Sequence, residues 1–397
     1  MRVFVSEYVC GGAWPEESLD SSLAVEGRAM LLALIQDLLL IPNVDVVTTW
    51  DHRLGEFPLR NVPETTSRIG GILPPDWRWQ DATGTKNREL ASDTFLRSAS
   101  TLSAEQISSR HDERKAFERL CEHSDAAFVI APEFHNFLAD RVKIASPRTR
   151  LLGCDFEATT LCSDKLRMAT FLSEAGIPTI STEAFEPKAS RPDSFQNDDT
   201  AFPCVIKPRD GAGSLLTCKV SDSAELVTLS KRLTAEGNDF SFVTQPFIEG
   251  VAISCAAIVR GEQGDDSGRL RIDVLPPCQQ VVTDDGRFAY EGAEYPPPIS
   301  TAVSEKVERL VQRCCSLIPG LSGYVGFDLL VPHTENADPI VIEINPRLTT
   351  GFLLWQKMCN DNLVARMLAA TGDGEKIRRP LSWKSDPASI RLTSMSE

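Results

Sequence analysis

The chain has 397 residues, with 41 Lys and Arg against 56 Asp and Glu, a net charge of -15 and a pI near 4.9. That length exceeds one ordinary core and predicts two or three lobes, and the acidic balance argues against nucleic acid or an anionic membrane surface as a partner. Eleven scattered cysteines without a Cys-x-x-Cys pair, many in apolar runs, read as small buried hydrophobes of a reducing cytoplasm. Arg2–Ser6 is too short for the apolar core of a signal peptide. The longest apolar run, Met30 to Ile41, is broken by Gln36 and Asp37 and falls short of a membrane span.

Taken in chain order, Arg2–Ser6 reads as a strand, Leu23–Leu40 as an amphipathic helix and Val44–Thr49 as a second strand, the βαβ alternation of a parallel sheet. Arg53–Ala82, rich in Pro, Gly and Trp, reads as a loop or lid whose Trp77 and Trp79 pack onto the lobe. Ala126–Ala131 is a strand, Pro132–Ile144 a helix with Pro near its start, and Leu151–Gly153 closes this first domain. Ser163 is the expected cap of the next helix, which Gly176 and Pro178 end. Pro187–Thr200 is a polar insert and Gly261–Arg269 a polar hairpin tip. Ser304–Ile318 carries Val307, Leu310, Val311, Cys314, Cys315 and Ile318 on one helical stripe. The segment after Thr371 is basic, then polar, and reads as peripheral.

Three segments carry chemistry. Phe202–Pro208 is an apolar strand ending at Lys207, followed by Arg209-Asp-Gly-Ala-Gly-Ser214 and a second strand-like run, Leu215–Val220. Gly211 and Gly213 allow successive N–H groups to converge on phosphate oxygens, with Lys207 as a point charge beside them. The spacing is neither a Walker loop nor a dinucleotide fingerprint, and alone it suits an ordinary glycine hairpin better than a phosphate cradle. Next, a strand from Ser241 leads through a linker with Gln245 and Glu249 into the strand Val251–Val259, a layout suited to a nucleotide base and ribose. Last come Gly323–Val331, with Asp328 as its one charge, and Pro339–Arg347, where Ile340, Ile342 and Ile344 alternate with Val341, Glu343 and Asn345. A turn centred between Glu335 and Asn336 sets Asp328 opposite Glu343, roughly 5 Å apart. Facing carboxylates repel unless a cation lies between them, and hard oxygen ligands suit magnesium with phosphate. A surface hairpin with a wet face is the plainer alternative for this pair alone.

In this order the segments resemble the ATP-grasp superfamily over about Ser163 to Phe352. The resemblance implies a fold of α/β and α+β character: an ATP-grasp fold behind an N-terminal Rossmann-like (pre-ATP-grasp) βαβ domain. It implies boundaries at 1–160 for that domain, 161–247 for the small lobe, 248–375 for the large lobe and 376–397 for the tail. The cofactors implied are ATP and Mg²⁺ (or Mn²⁺). Carried over by position, Lys165 and Lys207 would meet the phosphates, and Gly211, Ala212, Gly213 and Ser214 would close over them. Gln245, Pro246 and Phe247 would border adenine, and Glu249 would take ribose. Asp328, Glu343 and Asn345 would hold the metal, and Arg347 would face the transferred phosphate.

Val3–Gly12, Leu23–Leu31, Val129–Phe134, Leu152–Cys154 and Phe288–Gly292 further resemble a group that includes tyramine–glutamate ligases of methanofuran biosynthesis. This implies an ATP-dependent ligase joining an amino-acid carboxylate, such as L-glutamate, to an amine, such as tyramine, through an acyl phosphate. The partners are then small molecules, not nucleic acid or membrane, and no oligomeric state follows. A small-molecule kinase of the same fold and a non-catalytic ATP-binding regulator are the alternatives. Glu7 and Tyr8 end the first strand, where open α/β sheets place ligands, and Glu26 lies early in the following helix; with Tyr290 across the cleft they are candidate substrate residues. Glu133 follows another strand end and reads rather as a local cap. The five histidines show no metal spacing.

Overall fold

The computed structural model describes residues 1–15, 19, 21–59, 100–187, 202–235, 239–261, 270–334, 338–370 and 379–391. Residues 60–82 of the expected lid, with Trp77 and Trp79, lie outside them. So do nearly all of the 187–200 insert, the 261–269 hairpin tip beyond Gly261, and the turn at 335–337.

The first unit is an open parallel sheet. Its strands are β1 (Arg2–Glu7), β2 (Asp45–Asp51), β3 (Leu102–Ile107), β4 (Ala126–Ile130) and β5 (Arg150–Leu151), in the order β3-β2-β1-β4-β5. Helices α1 (Ser22–Leu39), α2 (Arg110–Glu122) and α3 (Phe137–Ala145) connect them. The strand order reverses between β1 and β4, so the crevice where such sheets bind ligands opens beside Glu7 and Glu133. The expected helix from Pro132 begins only at Phe137. His135 and Asn136 take positive φ values of 52° and 59°, which break a continuous helix there.

Helix α4 (Phe156–Ser163) then leads to α5 (Lys165–Glu174). Ser163 ends α4 and does not cap α5; Asp164 does, accepting from the Arg167 amide, and Gly176 at φ 65° terminates the helix region as expected. A four-stranded antiparallel sheet follows, with β6 (Glu183–Phe185), β7 (Cys204–Pro208), β8 (Cys218–Val220) and β9 (Phe242–Pro246) ordered β6-β9-β7-β8, and α6 (Ser223–Ala235) packs against it. Of the expected strand Leu215–Val220 only its last three residues are extended, because Ser214 and Leu216 adopt positive φ.

The third sheet has seven strands: β10 (Gly250–Gly261), β11 (Leu270–Val274), β12 (Cys278–Val282), β13 (Tyr290–Tyr295), β14 (Gly323–Pro332), β15 (Ile340–Asn345) and β16 (Ala388–Arg391). Helix α7 (Thr301–Leu317), capped by Ser300, buries Val307, Leu310, Val311, Cys314 and Cys315 against it. Helices α8 (Phe352–Met358) and α9 (Leu363–Ala370) share one apolar cluster with α1, which docks the first unit on the third sheet. The tail is not wholly peripheral: β16 pairs antiparallel with β13, and Ile390 is buried. All eleven cysteines are free thiols, ten of them buried. No helix among the described residues is long and apolar enough to cross a membrane.

In the β14–β15 hairpin Asp328 faces Glu343 as expected, although the pairs nearer the turn, Leu330 with Ile340 and Leu329 with Val341, would by themselves set Asp328 opposite Ile342. A bulge immediately follows, since Leu329 pairs with Val341 and leaves Ile342 unmatched. The extra residue shifts the side-chain alternation. Val341 and Ile344 therefore enter the core, whereas Ile342, expected on the core face, lines the cleft with Glu343 and Asn345.

Candidate functional site

A cleft of about 290 Å³ opens between the four-stranded and seven-stranded sheets, with α1 of the first unit at its edge. The four-stranded sheet supplies Lys207 at the end of β7 and the loop Gly211–Ser214. The seven-stranded sheet supplies Gln280, Tyr290, Asp328, Glu343 and Asn345, and α1 of the first unit supplies Glu26. Of the residues singled out from sequence, Lys165, Lys207, Gly211, Ala212, Gly213, Ser214, Gln245, Pro246, Phe247, Asp328, Glu343, Asn345, Arg347, Glu26 and Tyr290 all line it.

Glu343 is the electrostatic centre. Its Oε1 lies 2.6 Å from Lys207 Nζ and its Oε2 3.6 Å from Lys165 Nζ. Burial pushes the Glu343 carboxyl up, but the two lysines outweigh it and hold the group below the usual carboxylate range. Lys207 is pulled down by the same burial, opposed by Glu343. Lys165 Nζ also donates to the Gly211 carbonyl at 3.1 Å, tying α5 to the glycine loop. Across the hairpin, Asp328 accepts from Gln280 Nε2 at 2.5 Å and Asn345 Nδ2 at 3.0 Å. Burial, then the Glu343 charge, raises its carboxyl to about 6.

This donor set suits a divalent cation. Two half-buried carboxylates face each other, one of them forced up, and the Asn345 side-chain carbonyl adds a third hard oxygen. Among the described residues there is no cluster of three or more His, Cys, Asp or Glu able to hold a metal. The cation would thus need further ligands, such as phosphate oxygens, brought with it.

At one end of the cleft the Phe247 and Phe288 rings stack at 6.1 Å, and Lys219 Nζ lies 3.6 Å from the Phe247 centroid. Gln245 is pinned by donating to Thr182 Oγ1 at 2.9 Å. Ser214 Oγ donates to the Phe288 carbonyl at 2.7 Å, so the glycine loop is held down across the cleft. At the other end Glu133 grips Arg347 through two bonds, Nε at 2.7 Å and Nη2 at 2.9 Å. Glu133 therefore aims a cation and caps no helix. Beside it, Glu26 accepts from Thr350 Oγ1 at 2.6 Å, and burial raises its carboxyl. The Tyr290 hydroxyl is buried near Glu26 with no hydrogen-bond partner among the described residues.

Three expected site residues are not in the cleft. Glu249 is exposed, and only its backbone carbonyl is engaged, by the His333 amide. Tyr8 stacks on Phe137 at 4.6 Å beneath Arg141, inside the first unit. Glu7 is buried under the turn Val9–Ala13, accepts from the Cys10 amide at 2.5 Å and rests against Gly27, where a Cβ would come within 2.5 Å of its Oε1. Burial lifts its carboxyl to about 7. Conversely, sequence reading passed over Gln280, whose strand carries no local sign of a role, whereas Lys219 and Phe288 lay in segments already singled out.

Comparison with known proteins gives the same architecture. An ATP-grasp domain family model matches residues 162–351, and a pre-ATP-grasp domain model matches residues 90–159. The tyramine–L-glutamate ligase of Methanocaldococcus fervens is 28% identical over 58% of this chain and 60% of its own length. That of Methanocaldococcus jannaschii is 27% identical over 65% and 66%. These matches thus span less than two thirds of either relative. A crystal structure from Archaeoglobus fulgidus, assigned to the ATP-grasp superfamily, superposes with a TM-score of 0.58 at 20% identity, covering 99% of this chain and all of that one. The chain carries an ATP-grasp domain behind a pre-ATP-grasp domain, has the ATP-grasp fold, and resembles the tyramine–L-glutamate ligase group.

Proposed function

We propose that this chain is an ATP-dependent carboxylate–amine ligase, in which an amino-acid carboxylate is activated as an acyl phosphate and captured by an amine, releasing ADP and phosphate. The observation that carries the reading is the Asp328–Glu343 pair facing Lys165, Lys207 and the Gly211–Ser214 loop in one cleft. The resemblance to tyramine–L-glutamate ligases makes glutamate and tyramine the leading substrate pair and methanofuran biosynthesis the leading setting.

ATP would lie with its base at the end of the cleft that Phe247 and Phe288 border and its phosphates under Gly211–Ser214. There Lys165 and Lys207 exchange part of their attraction to Glu343 for phosphate oxygens. Asp328, Glu343 and Asn345 would hold Mg²⁺, which when bound neutralises charge on the phosphates. Arg347, held by Glu133, points a cation at the phosphoryl group as it passes to the substrate carboxylate, so the stabilising charge is preorganised before transfer. The amine then bonds to the acyl carbon as the carbon–oxygen bond to phosphate breaks, giving the amide and free inorganic phosphate. That amine must shed a proton, and Glu26, buried with a raised affinity for protons, sits beside Arg347 to receive it. The unpartnered Tyr290 hydroxyl supplies a hydrogen bond to the amine-bearing substrate at the same end.

Incubation of purified protein with Mg-ATP, L-glutamate and tyramine, singly and together, tests this reading. ADP formed only with both partners, with a new amide mass, supports it. ADP with a stable phosphorylated product, or no stimulation by any amine–acid pair despite ATP binding, replaces it with a kinase or a regulator.

A further inference from the structure

The glycine loop is anchored to three bodies at once. Behind it, Arg209 grips Asp164 through two bonds at 2.8 and 2.7 Å, fixing the loop's root to the start of α5. Across the cleft, Ser214 Oγ bonds the Phe288 carbonyl. The third anchorage is to the pre-ATP-grasp domain, which the nucleotide reading does not use. Ala212 is buried in that domain's cluster with Trp14, Ala24 and Phe134. Gly213, at φ 65°, leaves just enough room for Leu23, whose Cδ2 would lie 3.1 Å from any added Cβ. Asp210 Oδ2 accepts from the His135 amide at 3.0 Å. That amide sits in the left-handed stretch His135–Asn136, and the His135 ring packs on Phe240 of the small lobe at 4.8 Å.

We propose that Asp210 is a positioning residue: through the His135 amide it latches the phosphate-binding loop onto the pre-ATP-grasp domain, so that loop closure and docking of that domain are one event. This deepens the proposed function and rests on Gly211–Ser214 being the phosphate cradle. Asp210 touches no reacting group. A loop tied to the domain that bears Glu26 and Glu133 closes over the phosphates only when those residues are also in place. That arrangement keeps water from an activated carboxylate until the amine site is assembled.

The test compares Asp210→Ala, Asp210→Asn and Leu23→Ala with the wild-type full chain by peptide-level hydrogen exchange and by Mg-ATP titration. Asparagine keeps an oxygen that can accept from His135, and alanine does not. In nucleotide-free protein, exchange across 209–217 should rise in Asp210→Ala and Leu23→Ala but stay near wild type in Asp210→Asn. Mg-ATP affinity should fall about tenfold in Asp210→Ala, the size expected for one hydrogen bond to a carboxylate, and less than about twofold in Asp210→Asn. Wild-type exchange across the loop in Asp210→Ala overturns the latch. If the wild-type protein binds no Mg-ATP, the proposed function fails, yet the nucleotide-free exchange still decides the latch.

Discussion

The proposed nucleotide cleft and the crevice at the head of the parallel sheet both present acidic side chains at strand positions, yet the two use them in opposite ways. In the cleft, Asp328 and Glu343 sit opposite lysines and open space, so their charges are available to ligands. In the crevice, Glu7 lies at a strand end and is roofed over by Val9–Ala13, so its carboxyl is spent on a backbone amide. The carboxylate that reaches from this domain into the cleft is Glu26, one helix later, because α1 docks on the Thr350 turn ahead of α8. A strand-end carboxylate thus becomes a site residue only where the neighbouring elements leave it uncovered.

The contrast is broken most severely through the cleft. Lys207→Ala and Glu343→Ala should each lower kcat by about 10²–10³ or more while leaving circular dichroism and the cooperative melt intact. Near-wild-type turnover in either variant removes the cleft from the chemistry.

Glu7 is expected to affect stability and not chemistry. Folded Glu7 keeps its proton up to about pH 7, whereas its ordinary value is 4.5. Below 4.5 both folded and unfolded states hold the proton. As pH rises from 4.5 to 7 the unfolded chain alone releases it, so stability declines, by up to ~3 kcal/mol, and levels off above 7. Glu7→Gln should make the decline shallower by the Glu7 share, leaving that of Asp328, which urea unfolding of both proteins at pH 5 and pH 8 would read. Parallel pH profiles would contradict the assigned burial effect.

Glu26→Gln sharpens the comparison from the other side. It should cost about 10² in the amine-dependent rate with little change in Mg-ATP affinity, separating the amine end of the cleft from its nucleotide end. An equal loss in ATP binding would place Glu26 elsewhere in the mechanism. The smallest effect is expected at Glu249, whose side chain faces solvent. Glu249→Ala should leave Mg-ATP affinity within about twofold, and a larger change would return it to the ribose site.

What could be read from sequence follows the range of the interactions involved. The Asp328–Glu343 pairing depends on a short hairpin, and the glycine loop and Lys207 lie within one strand–loop segment, so local chemistry placed them. The bulge at Ile342 escaped because simple alternation contains no term for an inserted residue. Strand β16 escaped because its partner, β13, lies far upstream and its own four residues carry little pattern. Glu133 read as a strand-end cap, and its grip on Arg347 joins the segments that follow β4 and β15, strands of two different sheets. Tyr8 failed as a ligand because the aromatic ring of Phe137, on α3, covers it.

The central claim is that this cleft moves a phosphoryl group onto a substrate carboxylate. Isotope transfer tests it most directly. The acid of whichever amine–acid pair releases ADP is supplied with ¹⁸O in its carboxyl group, and the phosphate formed is analysed by mass. An acyl phosphate leaves one ¹⁸O in inorganic phosphate for each amide made, and that is the predicted result. Unlabelled phosphate, or label retained in a stable phosphorylated product, would contradict the account.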